Sequence, residues 1–405
     1  MARRPVLEPD QDAIQIALAT NDELPAHFYG PEQGETSEEI GTLSLPTLRE
    51  RVSGATAELN LARQLANARA GRHAALARPI MKHLPHNNWS CYQHLAKYLR
   101  THAVIAAKEG RADDSLLFGR AILGVARAAS EPPMLMSVLM ASACRSISCQ
   151  SLLQAIQYGE ASESALAEAQ ADLEATIAVP LMLESVRGER AFFADLVHAY
   201  ERGDISDAEA SAKPHWLCLF LMPRSTIESY YFQWRYGSPI EKRRASLLLR
   251  YYNALVELLK SSPDGPQLQS NVMQRVGQET GYVTRRSALA AQRMLFVDRM
   301  SRSYLACVTA ALAVERYRLT TGRWPSSMVE VPGCLENVPL NPHTLDSVVY
   351  HQHRGYIAIN ARGRKYESTG GVLPLVGGWT RGDKKAVVWD LEQRQIMARQ
   401  SANLS

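Results

Sequence analysis

The sequence predicts a mainly α protein: irregular helical hairpins, of α-solenoid or bundle type, followed by a small α+β unit with a three-stranded antiparallel sheet. Three observations carry this. Apolar residues recur at intervals of three and four through most of the first 320 positions. Glycine, proline and short acidic or hydroxyl residues interrupt that pattern at helix-length spacings. After Pro339 the period drops to two, as strands require. At 405 residues the chain exceeds the usual ceiling for one core. Four segments are expected: a mixed, loop-rich segment over 1–46, a helical-hairpin domain over 47–283, a long helix with a sheet over 284–395, and a tail over 396–405.

Taken in order, Asp12 to Ala19 suits a short helix, and the acidic PEQGETSEE run reads as loop. Val52, Ala55, Leu59, Ala62 and Ala66 form one stripe, predicting a single leading helix from Pro46 to Ala70. Leu95, Leu99, His102 and Ile105 line the next helix, which Gly110 ends; Asp113 and Asp114 open its hairpin partner through Ala129. A third helix carries Met134, Val138, Leu139 and Ile147 after the Glu131, Pro132, Pro133 break. A fourth starts at Ser162 and buries Leu166, Ala169, Leu173 and Ile177 before Pro180. A fifth runs through Leu183, Val186, Phe193, Leu196 and Tyr200 to Gly203.

Between Lys213 and Pro239 the composition turns aromatic, and Trp216, Phe220, Tyr230, Tyr231 and Trp234 are the candidate lining of a binding groove. Filling a junction between helices is the competing role for the same rings. A helix over Glu241 to Leu259 follows, and SPDGP breaks it. The last helix is the longest, about Thr284 to Thr320. Leu305, Val308, Leu312 and Leu319 share one of its faces, Gly322 supplies the left-handed turn and Pro325 forbids continuation. Ser327 and Glu330 fit a capping box for a further short turn. Val348 to His351 and Tyr356 to Ile359 then read as a hairpin, with Lys385 to Trp389 as a third strand.

The runs ALAVERYRLTTGRWPSSMVEV, VPLNPHT and VVYHQHRGYIAINARGRKYESTGG resemble the helix end and following sheet of type II secretion pseudopilins. The matching positions are Tyr317, Gly322, Trp324, Pro325 and Pro342, and the resemblance gives them structural roles. It covers about the last quarter of the chain. With its hairpins and EGRADD and RGERA segments, the whole chain also resembles a broad group of bacterial envelope-associated proteins for which no activity is implied. The resemblance favours the cell envelope, with the cytoplasm as the alternative. Where major pseudopilins hold calcium with several carboxylates, ARGRKYESTGGV offers only Glu367, so no calcium site is carried over. The pilus-building membrane helix is absent from its place, because a helical domain precedes the long helix instead.

Residue chemistry points away from catalysis. There is no Walker A sequence, dinucleotide fingerprint, H-E-x-x-H or G-x-S-x-G. Gly377, Gly378 and Gly382 before Lys384 share only their composition with a phosphate loop. His343, His351 and His353 are a conceivable metal set and, more simply, a solvated strand face. His86, His94 and His102 recur every eight residues, as interhelical packing or surface groups. Glu184, Arg187, Glu189 and Arg190 crowd one helix and suit a buried charge network, and an i,i+3 pair on a solvated face explains Glu184 and Arg187 more simply. The six cysteines are scattered without a C-x-x-C pair and suit buried thiols.

A net charge of +4 over this length is too dilute for a nucleic-acid surface. No apolar run approaches the roughly 18 residues a membrane span needs, and Pro5, Glu8, Asp10 and Asp12 exclude a signal-peptide core there. The expectation is therefore a non-enzymatic interaction or structural module with a protein partner and no cofactor. A cytosolic solenoid-type adaptor is the second reading, and a small-molecule binder or enzyme using the 216–236 rings the third.

Overall fold

The computed structural model describes residues 13–14, 16–17, 40–41, 43–52, 58–68, 89–131, 133–202, 239–261, 282–331, 335, 338–340, 342, 346–353, 356–360 and 386–390. Among these residues nine helices pack on one another, and the protein is mainly helical.

Helix α1, Leu45–Arg51, begins at Ser44, whose hydroxyl accepts the Thr47 N–H, with Pro46 in the first turn. Val52 caps its end, and α2 is a separate helix, Glu58–Asn67. The single leading helix expected from Pro46 to Ala70 is thus two. The stripe that suggested one helix runs across Ser53 and Gly54, whose low helix propensity the periodicity does not register.

Helix α3, Trp89–Lys108, buries Leu95, Leu99, His102 and Ile105. It stops at Gly110, whose φ of 77° is cheap only for glycine; Arg111 N–H then reaches back to the Ala106 carbonyl at 2.8 Å. Helix α4, Ala112–Ala129, returns alongside, with Asp113 and Asp114 at the positive end of its dipole. Asp113 also accepts the Ser162 N–H at 2.7 Å, just before α6, Glu163–Ala178, where the Ser162 hydroxyl accepts the Ala165 N–H. One acidic turn therefore fixes two helix starts.

Helix α5, Leu135–Tyr158, is the centre of the molecule. It packs against α3, α4 and α7, Leu181–Glu201, and against α9, Tyr282–Thr321. Of its 24 residues 19 are buried, which leaves no polar face to generate a period. It contributes to all three apolar clusters. Cys144 and Ile147 join the cluster of α1 to α4; Cys149, Leu152 and Ile156 join that of α4, α6 and α9; Leu135, Val138 and Ala141 join that of α7, α9 and α8, Pro239–Ser261.

Helix α9 is 40 residues long, so it spans about 60 Å. Leu305, Val308 and Leu312 are fully enclosed against α5 and α6, and Gly322, at φ 73°, ends the helix. A 3₁₀ turn over Met328–Glu330 follows. The capping box expected there does not form. Ser327 makes no side-chain cap bond, and the Glu330 carboxylate turns instead to Ser326, Arg323 and Tyr317. A guanidinium, a phenol and the backbone N–H of Ser326 hold the carboxylate, in the place that the N–H of Ser327 would take in a capping box.

Three short strands lie beyond: β1, Val349–His353, β2, Tyr356–Asn360, and β3, Ala386–Asp390. They pair antiparallel in the order β1-β2-β3, with Tyr350 opposite Ile359 and Ile357 opposite Trp389. Val348, Ile357 and Ile359 are buried in the same cluster as the α9 leucines.

Candidate functional site

The residues whose chemistry departs from the ordinary stand at joints between helices. At the first, α7 meets the start of α5. A Cβ on Gly188 would lie 1.6 Å from the Pro133 carbonyl oxygen, so the two backbones touch where no other residue fits. Next to it Glu189, 2% exposed, accepts the Leu135 N–H at 3.2 Å, at the first turn of α5. Burial pushes this carboxyl up to about 7, partly offset by the Leu135 bond. That value would suit a general acid or base, but enclosure and the Leu135 bond make Glu189 a helix cap supplied from another helix. Of the four residues Glu184, Arg187, Glu189 and Arg190, Glu189 is enclosed, and its carboxylate bonds a backbone N–H of another helix. Arg190, by contrast, donates to Asn253 of α8 at 3.0 Å.

At the second joint α4 receives the end of α2. A Cβ on Gly124 would lie 2.0 Å from the Leu65 carbonyl oxygen. One turn on, Arg127 Nη2 donates to the carbonyls of Leu65, Ala66 and Ala68 at 3.2, 2.8 and 3.3 Å. A cation thereby closes the negative end of a helix. Glycine followed by a charge thus recurs at both joints, as Gly188–Glu189 and Gly124–Arg127.

The third joint is the corner after α9. Glu330 accepts from Tyr317 at 3.0 Å, from Arg323 at 2.9 Å and from Ser326. The Ser326 hydrogen bond and then the Arg323 one hold its carboxyl at about 2. Arg323 lies over the Tyr317 ring and Arg318 over the Trp324 ring, 5.5 and 5.4 Å from the centroids. Arg318 also pairs with enclosed Glu315 at 2.9 Å and with Glu160 at 3.1 Å. Two sides of α6 are held likewise: Arg316 grips Glu163 and Gln170, while Arg120 grips Glu168 and Asp172.

The histidines divide. His102 is buried, stacked on Phe118 and edge-on to Tyr98. Burial, and then the Arg111 charge, lower it to about 4, so it is neutral at physiological pH. His94 is half-buried and also lowered, by burial and then by Lys97. His351 stands half-buried on β1, while His86, His343 and the His353 side chain lie outside the described residues. Among the described residues no three metal-ligating side chains converge. Cys91, Cys144, Cys149 and Cys307 are buried, and burial pushes the Cys144 thiol up to about 12. The candidate groove residues Trp216, Phe220, Tyr230, Tyr231 and Trp234 also lie outside the described residues. Among those described no helix is long and apolar enough to cross a membrane.

His102 gives a measurable acid sensitivity. Its folded value is below the unfolded 6.5, so the unfolded chain binds the proton first. Stability is then complete above pH 6.5 and falls by about 3 kcal/mol as pH drops through 4. Urea unfolding of His102→Phe is expected to lose most of that acid slope; an unchanged slope would assign it elsewhere.

Nothing in the sequence marked Gly124 and Gly188 as contacts, since a mid-helix glycine reads only as a propensity defect. Comparison of the chain with protein-family models, with curated proteins and with solved structures finds no match.

Proposed function

We propose that this chain is a non-enzymatic protein-interaction or structural module acting at the cell envelope, a bundle-like body of helical hairpins bearing a pseudopilin-like helix-and-sheet unit. The observation that carries the reading is where the reactive side chains are spent. Glu189, Arg127 and Glu330 have the environments that active sites use to tune groups, and each closes a helix end or a corner. Supporting the bundle form, α9 packs on α5 and α6 rather than only on its chain neighbour, unlike a solenoid repeat. Supporting the pseudopilin-like unit, Tyr317 and Trp324 take part in the corner, and Pro342 is buried beyond it.

Fractionation of cells that express the chain natively tests the location. Recovery with the envelope is expected, resistant to dilution but released by disrupting protein contacts. Recovery wholly in the soluble cytosol would replace this reading by the cytosolic adaptor. The Glu189→Gln protein is expected to behave as wild type in that assay, because the carboxyl serves the fold.

A further inference from the structure

Helices α7 and α8 pack on each other, Arg190 donating to Asn253 at 3.0 Å, and meet α5 and the first half of α9 through one apolar cluster. That cluster is separate from the two that hold the rest of the body. Its chain link to α6 is short: Val179 and Pro180, both exposed, join Ala178 to Leu181, and Val179 has an extended backbone. A hinge can turn there without disturbing a core. At the other end of the joint Gly188 abuts Pro133, and Glu189 accepts the Leu135 N–H at 3.2 Å. As a first-turn group, that N–H has no partner within α5.

The polar groups of this joint are thinly held. Among the described residues the enclosed Glu189 carboxyl has the single donor Leu135, and Ser185, one turn earlier on α7 and fully buried, has a hydroxyl with no hydrogen-bond partner. Ionising a carboxyl so placed is costly, and withdrawing α7 from α5 returns both groups to water. The surrounding charges are Glu131 before α5, Glu184, Arg187 and Arg190 on α7, Glu257 of α8, which faces both arginines, and Arg145 of α5, which faces Asp298 of α9. None of them shifts Glu189. We infer that α7 and α8 form an arm that docks on α5 and α9 while the Glu189 carboxyl is neutral and swings out about Val179 and Pro180 as it ionises, baring Leu135 and Val138. The docked carboxyl titrates at about 7 and the released one at 4.5, so the released arm gives up its proton first. Release therefore grows easier as pH rises between these values and levels off above them.

The test is amide hydrogen exchange of the full chain from pH 5 to pH 8, read by NMR and divided by the intrinsic rate. The opening constant of the Leu135 amide, whose bond crosses the joint, is expected to rise about seventyfold over this range. That of the Leu152 amide, deep in α5, is expected to be far smaller and to change only a few-fold, because the global opening also exposes His102, whose slope is opposite. Glu189→Gln is expected to flatten the Leu135 rise, and the wild-type series carries the test if that variant does not fold. Val138→Cys, placed deeper in the joint, is expected to react with a thiol reagent with the Leu135 pH dependence once its rate is divided by that of the unfolded chain. Leu135 opening only together with Leu152, or opening equally at every pH, would overturn the proposal. So would a rise that survives Glu189→Gln, or a Val138→Cys thiol protected throughout, which would reduce the opening to fraying of α5.

Discussion

Replacing Gly188 by alanine is expected to destabilise the fold by about 3 kcal/mol or more, a loss large for one methyl group. The added carbon would arrive 1.6 Å from the Pro133 carbonyl oxygen, and a backbone oxygen beside a helix start has no rotamer by which to yield. Relief requires α7 to back away from α5. That movement would break the bond from Leu135 N–H to Glu189 and open the cluster holding Leu181, Met182 and Val186 against Leu135 and Val138. Gly124→Ala, 2.0 Å from the Leu65 carbonyl oxygen, is expected to act alike at the α2–α4 joint. Gly119→Ala is expected to cost less, because its new carbon meets the flexible Leu152 Cδ2 at 2.6 Å. Urea denaturation of the three proteins ranks them, and equal, near-zero effects would mean that the helices do not approach this closely.

Glu189→Gln is expected to stabilise the protein above pH 7, an unusual outcome for altering a buried acid. The folded carboxyl titrates at about 7 and the unfolded one at 4.5, so between these values the native state holds a proton that the unfolded state has released. Stability is therefore complete below 4.5 and falls by roughly 3 kcal/mol as pH rises through 7. Glutamine keeps a carbonyl for the Leu135 N–H and never ionises. At pH 8 the variant is expected to exceed wild type by up to about 3 kcal/mol, and at pH 4.5 to match it. The His102 slope runs the other way, so in wild type the two oppose each other between pH 4.5 and 6.5. Each single variant is expected to expose the slope of the other. A Glu189→Gln protein less stable than wild type at pH 8 would mean that the charged form is the one the Leu135 N–H holds.

Helix ends were legible wherever the signal is local. Ser162 capping α6, Gly110 and Gly322 at positive φ, and the acidic first turn of α4 follow from three or four consecutive residues. The central place of α5 was not legible. Amphipathic periodicity needs a solvated face for contrast, and a helix buried on nearly every side has none. What the sequence does hold is its near-absence of charge, with Arg145 alone among 24 residues. Glu189 was hidden by company, since Glu184 and Arg187 beside it fit an i,i+3 pair on a solvated face, and only the 2% exposure of Glu189 separates it. Glu330 misled differently: its spacing from Ser327 fits a cap, but folding brings Tyr317 to it from thirteen residues upstream. Partners that distant along the chain leave no local trace.

Native-state hydrogen exchange most directly tests whether α5 makes the helices around it one cooperative body. The slowest amides of α4, of α5 and of α9 around Leu305 to Val314 are expected to open with a single free energy, and Gly188→Ala is expected to lower all three by the same amount. A set of α9 amides that exchanges through its own opening, untouched by that substitution, would contradict it.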